Sequence, residues 1–305
     1  MTAVVTARTK ATLIGATAVL MWGMLALLTT LTGHVPPFQL VALSFTVATA
    51  MIVFKWIVKG ERPGAFLRQP LGAWALGVGG LFGYHFFYFM ALRNAPPVEA
   101  GLIAYLWPLL IVLFSALLPG ERLRWWHVAG ALAGLAGTVV LVTDGAGIGG
   151  FKSEHALGYA MAGAGALTWS AYSIVNRRFG AVPTDTVGGF CAATAVLAAL
   201  SHIAFETTVW PAEPDQWLAV LGLGLLPVGA AFFAWDHGTK HGDIQVLGAL
   251  AYAAPLISTV LLIAFGRGAA TLSVGLGCLL IVGGAVLASK AMLTRRAPRP
   301  TVPKP

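Results

Sequence analysis

Long apolar runs separated by short polar or proline-bearing breaks fill the chain. Ten can be marked, at residues 11–31, 37–58, 71–92, 97–118, 125–143, 156–176, 186–205, 216–236, 244–265 and 271–290. Each is close to the ~20 residues an α-helix needs to cross a bilayer. Pro36-Pro37, Pro96-Pro97 and Pro183 stand at breaks, where proline suits a helix start or the chain just past a helix end. No run alternates as a soluble strand would, and a helix satisfies all its backbone groups in lipid. The pattern predicts an all-α polytopic membrane protein, with residues 1–305 as a single transmembrane domain. The apolar run behind Met1–Lys10 exceeds a signal-peptide core, which predicts an uncleaved first span.

Composition narrows the function. Of 305 residues, 58% are apolar and 10% charged, against roughly 25% charged in soluble domains. Too few charges exist to cover a water-facing surface, which excludes a cytosolic enzyme, a disordered chain and a free nucleic-acid binder. The expected surroundings are the lipid bilayer, and no nucleic-acid partner is expected despite the net charge of +8. That charge reads instead as orientation. With the N-terminus inside, sixteen of the nineteen Lys and Arg fall in inside segments, and Arg93, Lys152 and Arg267 fall outside. Both termini are expected to be cytoplasmic, residues 291–305 forming a basic tail.

An internal match appears when the chain is shifted by 147 residues. Trp22 falls on Trp169, Pro36 on Pro183, Tyr88 on Trp235 and Arg93 on Lys240. Gly101, Tyr105 and Pro108 fall on Gly248, Tyr252 and Pro255. The expected halves are repeat one at 11–143 and repeat two at 156–290, with five spans each. Five is odd, so the second half enters from the other side and the repeat is inverted. Secondary transporters are built this way, with the substrate near the midplane between the repeats.

Ten spans, cytoplasmic termini, an inverted repeat and Ala-Tyr-x-x-Pro in spans four and nine resemble the drug/metabolite transporter superfamily, EamA type. The resemblance covers about residues 11–290. Tyr84-His85-Phe86-Phe87-Tyr88, Tyr105-Leu106-Trp107-Pro108 and Trp169 resemble its amino acid exporters most. This implies a multi-pass transporter of the bacterial inner membrane, exporting aromatic and other neutral amino acids by alternating access through a central cavity. The alternative is a different small-molecule cargo, since fold does not fix substrate. No acidic proton carrier is evident: Glu99 starts span four and Asp236 ends span eight.

The candidate substrate-binding residues are Tyr84, His85, Tyr88, Tyr105, Trp107, Trp169, Tyr252 and Trp22. His85 lies deep in span three, where an ionisable group usually faces a bundle interior or a cavity. It either meets substrate or is a structural histidine bonded to a backbone carbonyl. Tyr84 and Tyr88 share a helix face. The aromatics either line a cavity, stacking on cargo and engaging its ammonium, or pack helices together. Pro108 and Pro255 are candidate hinges, or else static kinks, because a helix-interior proline removes a hydrogen bond. Gly79-x-x-x-Gly83 and Gly130-x-x-x-Gly134 permit close helix approach, within one bundle or, for spans five and ten, in a homodimer. Glu206, Glu213 and Asp215 are expected in a solvated outside loop.

No enzyme is expected, since no paired carboxylates, metal cluster or nucleophile–base pair shares one depth. No metal or cofactor is expected either. The G-x-G-x-x-G match at 145–150 follows no strand, so it lacks the context of a dinucleotide site. Cys191 and Cys278 lie in apolar runs and read as small hydrophobes.

Overall fold

The computed structural model describes residues 6–146 and 152–290. The expected basic tail at 291–305, and Gly147, Gly149 and Gly150 of the glycine-rich loop, lie outside the described residues. Among the described residues all regular structure is helical.

The first apolar run forms α1 (Ala7–Trp22) and α2 (Leu25–Leu31), parted at Gly23-Met24. The next gives α3 (Pro37–Lys59), started by proline and ended by Gly60 at φ 63°, a left-handed cap that favours glycine. After the short α4 (Pro63–Leu67) come α5 (Leu71–Asn94), α6 (Pro97–Ala104), α7 (Trp107–Phe114) and α8 (Trp125–Val142). The second half supplies α9 (Ala156–Val175), α10 (Val187–Phe205), α11 (Pro214–Leu225), α12 (Ala231–His241), α13 (Ile244–Leu250), α14 (Ala253–Ala264) and α15 (Leu272–Ala288).

Eight helical stretches among the described residues are long and apolar enough to cross a membrane. The expected sixth and tenth spans are the two not among them. In α9, Gly, Ser, Thr, Tyr and Trp dilute the hydropathy, and α15 has only 17 residues.

Spans four and nine are each broken in two. The breaks fall at Tyr105-Leu106 and Ala251-Tyr252, just ahead of Pro108 and Pro255. Each proline then sits in the first turn of the following helix, where its missing N–H costs nothing. In the eighth span, Pro227 lies in a π-helical turn, Leu226–Ala230, joining α11 to α12.

The helices pack across the two halves: α1 on α12, α5 on α9, α3 on α10, and α8 on α15. Glycine decides how closely. A Cβ on Gly130 would stand 2.5 Å from the Gly284 carbonyl oxygen, and one on Gly137 2.9 Å from that of Gly277. The glycine face of α8 is thus spent on α15, and a homodimer through these helices would use their opposite faces. On α5 only half of the expected motif packs. A Cβ on Gly79 meets nothing within 4 Å, whereas one on Gly83 would stand 3.3 Å from Thr168 of α9, and Gly77 and Gly80 lie directly under Phe190 and Tyr172.

Polar contacts gather at two ends. At the end where α1 begins, here called proximal, Glu121 accepts from Arg8 at 3.0 Å and from Arg177 at 3.1 Å. Arg8 also pairs with Asp243 at 3.2 Å. At the opposite, distal end, Glu206 accepts from the backbone N–H of Phe38 at 2.9 Å and of Gln39 at 3.1 Å. It caps the start of α3, whose own first residues offer no side-chain cap. This corrects the expectation of a solvated loop: the Glu206 side chain is only 6% exposed.

Candidate functional site

Where α1, α5, α7, α9 and α12 converge, their aromatic side chains form one cluster. Trp22, the last residue of α1, is its hub. Its ring lies 6.0 Å from Trp107, 5.8 Å from Trp169, 6.1 Å from Phe232 and 5.0 Å from Trp235. Its indole N–H donates to the Pro227 carbonyl at 3.0 Å. That carbonyl belongs to the π-helical turn, so an irregularity in one half of the chain holds a ring of the other. Trp107 is held by its backbone, which accepts from the Ser170 hydroxyl of α9 at 3.0 Å.

Three tyrosines and a histidine edge the cluster. Tyr84 and Tyr88 stack one turn apart at 6.0 Å, and Tyr84 also meets Trp169 at 5.6 Å. Tyr105 stands at the break between α6 and α7, near Tyr84 and Tyr88. All three are half-buried. Their hydroxyls make no hydrogen bond among the described residues, yet they are not sealed, unlike the buried and unpartnered hydroxyl of Tyr172. They are free to meet a ligand.

His85 Nδ1 lies 2.7 Å from the Leu81 carbonyl oxygen one turn back. A carbonyl only accepts, so Nδ1 carries the proton and Nε2 keeps its lone pair. The ring is bracketed by Phe45 at 5.3 Å, Phe232 at 6.2 Å and Phe89 at 6.3 Å. The backbone contact and a half-exposed acceptor therefore coexist in one side chain.

Of the eight predicted residues, the structure brings Trp22, Tyr84, His85, Tyr88, Trp107 and Trp169 into one connected set of rings, with Tyr105 beside it. Tyr252 lies apart. It is fully buried among Val112, Ala131, Leu256 and Ile281, and its hydroxyl accepts from the Leu109 N–H at 3.2 Å. It ties the break in α13–α14 to the first turn of α7. Pro108 and Pro255 are both buried beside these breaks.

Four rings, Phe45, Phe89, Phe232 and Trp235, were not singled out from sequence. Phe232 and Trp235 stand 147 residues after His85 and Tyr88, so the repeat already pointed to them. Phe45, stacked on Phe232 at 5.6 Å, had no such signal.

Beside the cluster, towards the proximal end, Asp236 is fully buried. It accepts from Lys240 at 2.9 Å, Asn176 at 2.9 Å and Thr184 at 2.7 Å. Every donor offered is used, and Lys240 also donates to the Val182 carbonyl at 3.0 Å. At the same end, burial pulls the Arg177 guanidinium below its ordinary pKa, with Glu121 opposing the shift. Among the described residues no group of three or more His, Cys, Asp or Glu could hold a metal ion.

Known proteins resemble the chain throughout. The EamA-like transporter family matches residues 9–143 and again 156–290. A curated relative, the aromatic amino acid exporter YddG of Ancylobacter novellus, is 57% identical over 289 residues, covering 95% of this chain and 99% of that protein. The aromatic amino acid exporter YddG of Escherichia coli is 26% identical, covering 92% and 97%. One solved crystal structure superposes with a TM-score of 0.88 at 56% identity, covering 95% of this chain and all of that one. Both halves and the aromatic cluster between them thus fall inside one shared architecture, and the chain belongs to the EamA-like transporter family.

Proposed function

We propose that the protein is a secondary transporter of the bacterial inner membrane that exports aromatic and other neutral amino acids by alternating access. The observation that carries this reading is the aromatic cluster with its open polar tips. Trp22, half-buried, offers its ring to an apolar or aromatic side chain, backed by the buried rings of Trp107, Trp169 and Trp235. The Tyr84, Tyr88 and Tyr105 hydroxyls suit a carboxylate, and His85 Nε2 suits an ammonium N–H. No fixed charge enters the cluster, so binding is weak and tolerant, which suits release.

Ten spans in two inverted halves supply the motion. Contacts that alternate between the two ends along the chain, and a family match repeated in each half, support this reading. The breaks before Pro108 and Pro255 serve as hinges. The Arg8–Glu121–Arg177–Asp243 group joins both halves and acts as the clamp that shuts the proximal end. The basic-residue bias puts that end, with both termini, in the cytoplasm.

The test is counterflow in proteoliposomes with tryptophan, threonine and a control sugar. Exchange of both amino acids and none of the sugar is expected. No counterflow with any amino acid overturns the reading, and a cationic drug carried instead moves the cargo to another class.

A further inference from the structure

A cavity of about 720 Å³ opens between the start of α1 and the end of α12, and none of the cluster's rings lines it. Lys10, His237 and His241 form its rim, and Ala11 and Ile14 its floor. Arg8 and Lys240 also reach it, but both are already held, Arg8 by Glu121 and Asp243 and Lys240 by Asp236. Among the described residues no carboxylate lines the cavity. The two imidazoles stand 5.0 Å apart, one turn from each other on α12. The side chains of Lys10, His237 and His241 have no hydrogen-bond or ion-pair partner among the described residues. The rim therefore offers one free cation and two rings able to donate N–H.

Next to its floor residue Ile14, α1 turns Leu13 outward at 53% exposed, with Leu20 at 59% two turns on. In a membrane protein such leucines meet acyl chains. A basic rim above an apolar floor, beside leucines that face lipid, has the form of a phospholipid site. The absence of a lining carboxylate selects among lipids: nothing would pair with the ammonium of a choline or ethanolamine headgroup.

We infer that this cavity seats the phosphate of an anionic phospholipid on Lys10, His237 and His241, with an acyl chain lying along the α1–α12 groove. The site has a route to transport. α1 ends in Trp22 and α12 carries Phe232 and Trp235, so a lipid seated against this tightly packed pair bears on the two helices that carry three rings of the cluster. That consequence rests on the export reading; the binding does not, and it is tested without transport.

The test is native mass spectrometry of the detergent-purified full chain with added phosphatidylglycerol, phosphatidylcholine or inorganic phosphate. Phosphatidylglycerol is expected to be retained in preference to phosphatidylcholine. Lys10→Gln should weaken its retention about fivefold, the weight of one basic residue at a membrane surface. His241→Gln should weaken it further. Lys10 and His241 are exposed, so neither change threatens folding. Lys59→Gln, an exposed cation at the end of α3, should change nothing. Equal retention of the two lipids overturns the proposal, as does undiminished phosphatidylglycerol retention in the Lys10→Gln/His241→Gln double variant. Displacement of the lipid by inorganic phosphate at equal concentration also overturns it, because the cavity would then be a free-anion site.

Discussion

Glu121→Gln should loosen the proximal end without unfolding the protein. Glu121 holds Arg8 through both oxygens at 3.0 Å and Arg177 at 3.1 Å, with side chains 10%, 35% and 20% exposed respectively. Glutamine keeps the size and one acceptor and removes only the charge. A hydrogen bond to a charged group contributes about 1.5–3 kcal/mol, and a fully exposed ion pair about 0–1 kcal/mol. Partial exposure of both arginines sets the loss between these limits, at about 2 kcal/mol. Arg8 keeps Asp243, and Arg177 keeps the carbonyls of Thr239 and Gly242, so the fold has other ties. If the clamp exists only when this end is shut, about 2 kcal/mol shifts the open fraction about thirtyfold. Spin labels at Arg122 and Arg178, exposed neighbours of the bonded pair, report it through their distance distribution. The variant should gain a longer distance absent from the parent, and high salt should move the parent the same way. Identical distributions in parent and variant would refute the clamp.

Other predictions separate binding from packing. Tyr84→Phe removes a hydroxyl with no protein partner, so melting should be unchanged while apparent substrate affinity falls about fivefold, the worth of one hydrogen bond; unchanged affinity in a binding titration would take Tyr84 out of the site. Gly130→Ala places a Cβ 2.5 Å from the Gly284 carbonyl oxygen, which as backbone cannot step aside, and should destabilise the protein by about 1–3 kcal/mol. Gly79→Ala meets nothing within 4 Å and should gain up to about 1 kcal/mol from helix propensity; thermal unfolding in detergent ranks the pair. Lys240→Met strands the buried Asp236 carboxylate at a cost of about 3–5 kcal/mol, so the Asp236→Asn/Lys240→Met double variant should melt higher than Lys240→Met alone.

The sequence carries some of this structure and hides the rest for physical reasons. Span positions, helix starts at Pro37 and Pro97, and the two broken helices all follow from local rules about apolar length and proline. The rotation of each helix does not. A helix that is apolar all round carries no stripe to mark its inner face, which is why Gly79 reads as part of the packing face of α5 while Gly77, Gly80 and Gly83 hold it. Long-range polar pairs were equally hidden. Glu206 caps a helix through Phe38, 168 residues earlier, and Arg8 meets Glu121 across 113.

The repeat recovers part of what hydropathy loses, and its failures are informative. Offsetting by 147 carries His85 to Phe232 and Tyr88 to Trp235, so equivalent positions in the two halves meet in one cluster although their chemistry differs. Tyr105 and Tyr252 are identical, yet one edges the cluster and the other is buried against α8 with its hydroxyl tied to Leu109. Residue identity across the halves therefore predicts shared backbone geometry, here a helix break, and not shared contact with cargo. The polar tips all come from one half: Tyr84, His85, Tyr88 and Tyr105 are met from the other by Phe232 and Trp235. A ligand held in this cluster would be hydrogen-bonded by one half and stacked by rings of both, Trp22 and Trp107 from the first and Trp169, Phe232 and Trp235 from the second. Rocking one half against the other would then remove the second half's rings while the hydrogen bonds stay with the first, which lets a weakly bound cargo leave without any charge having to be neutralised.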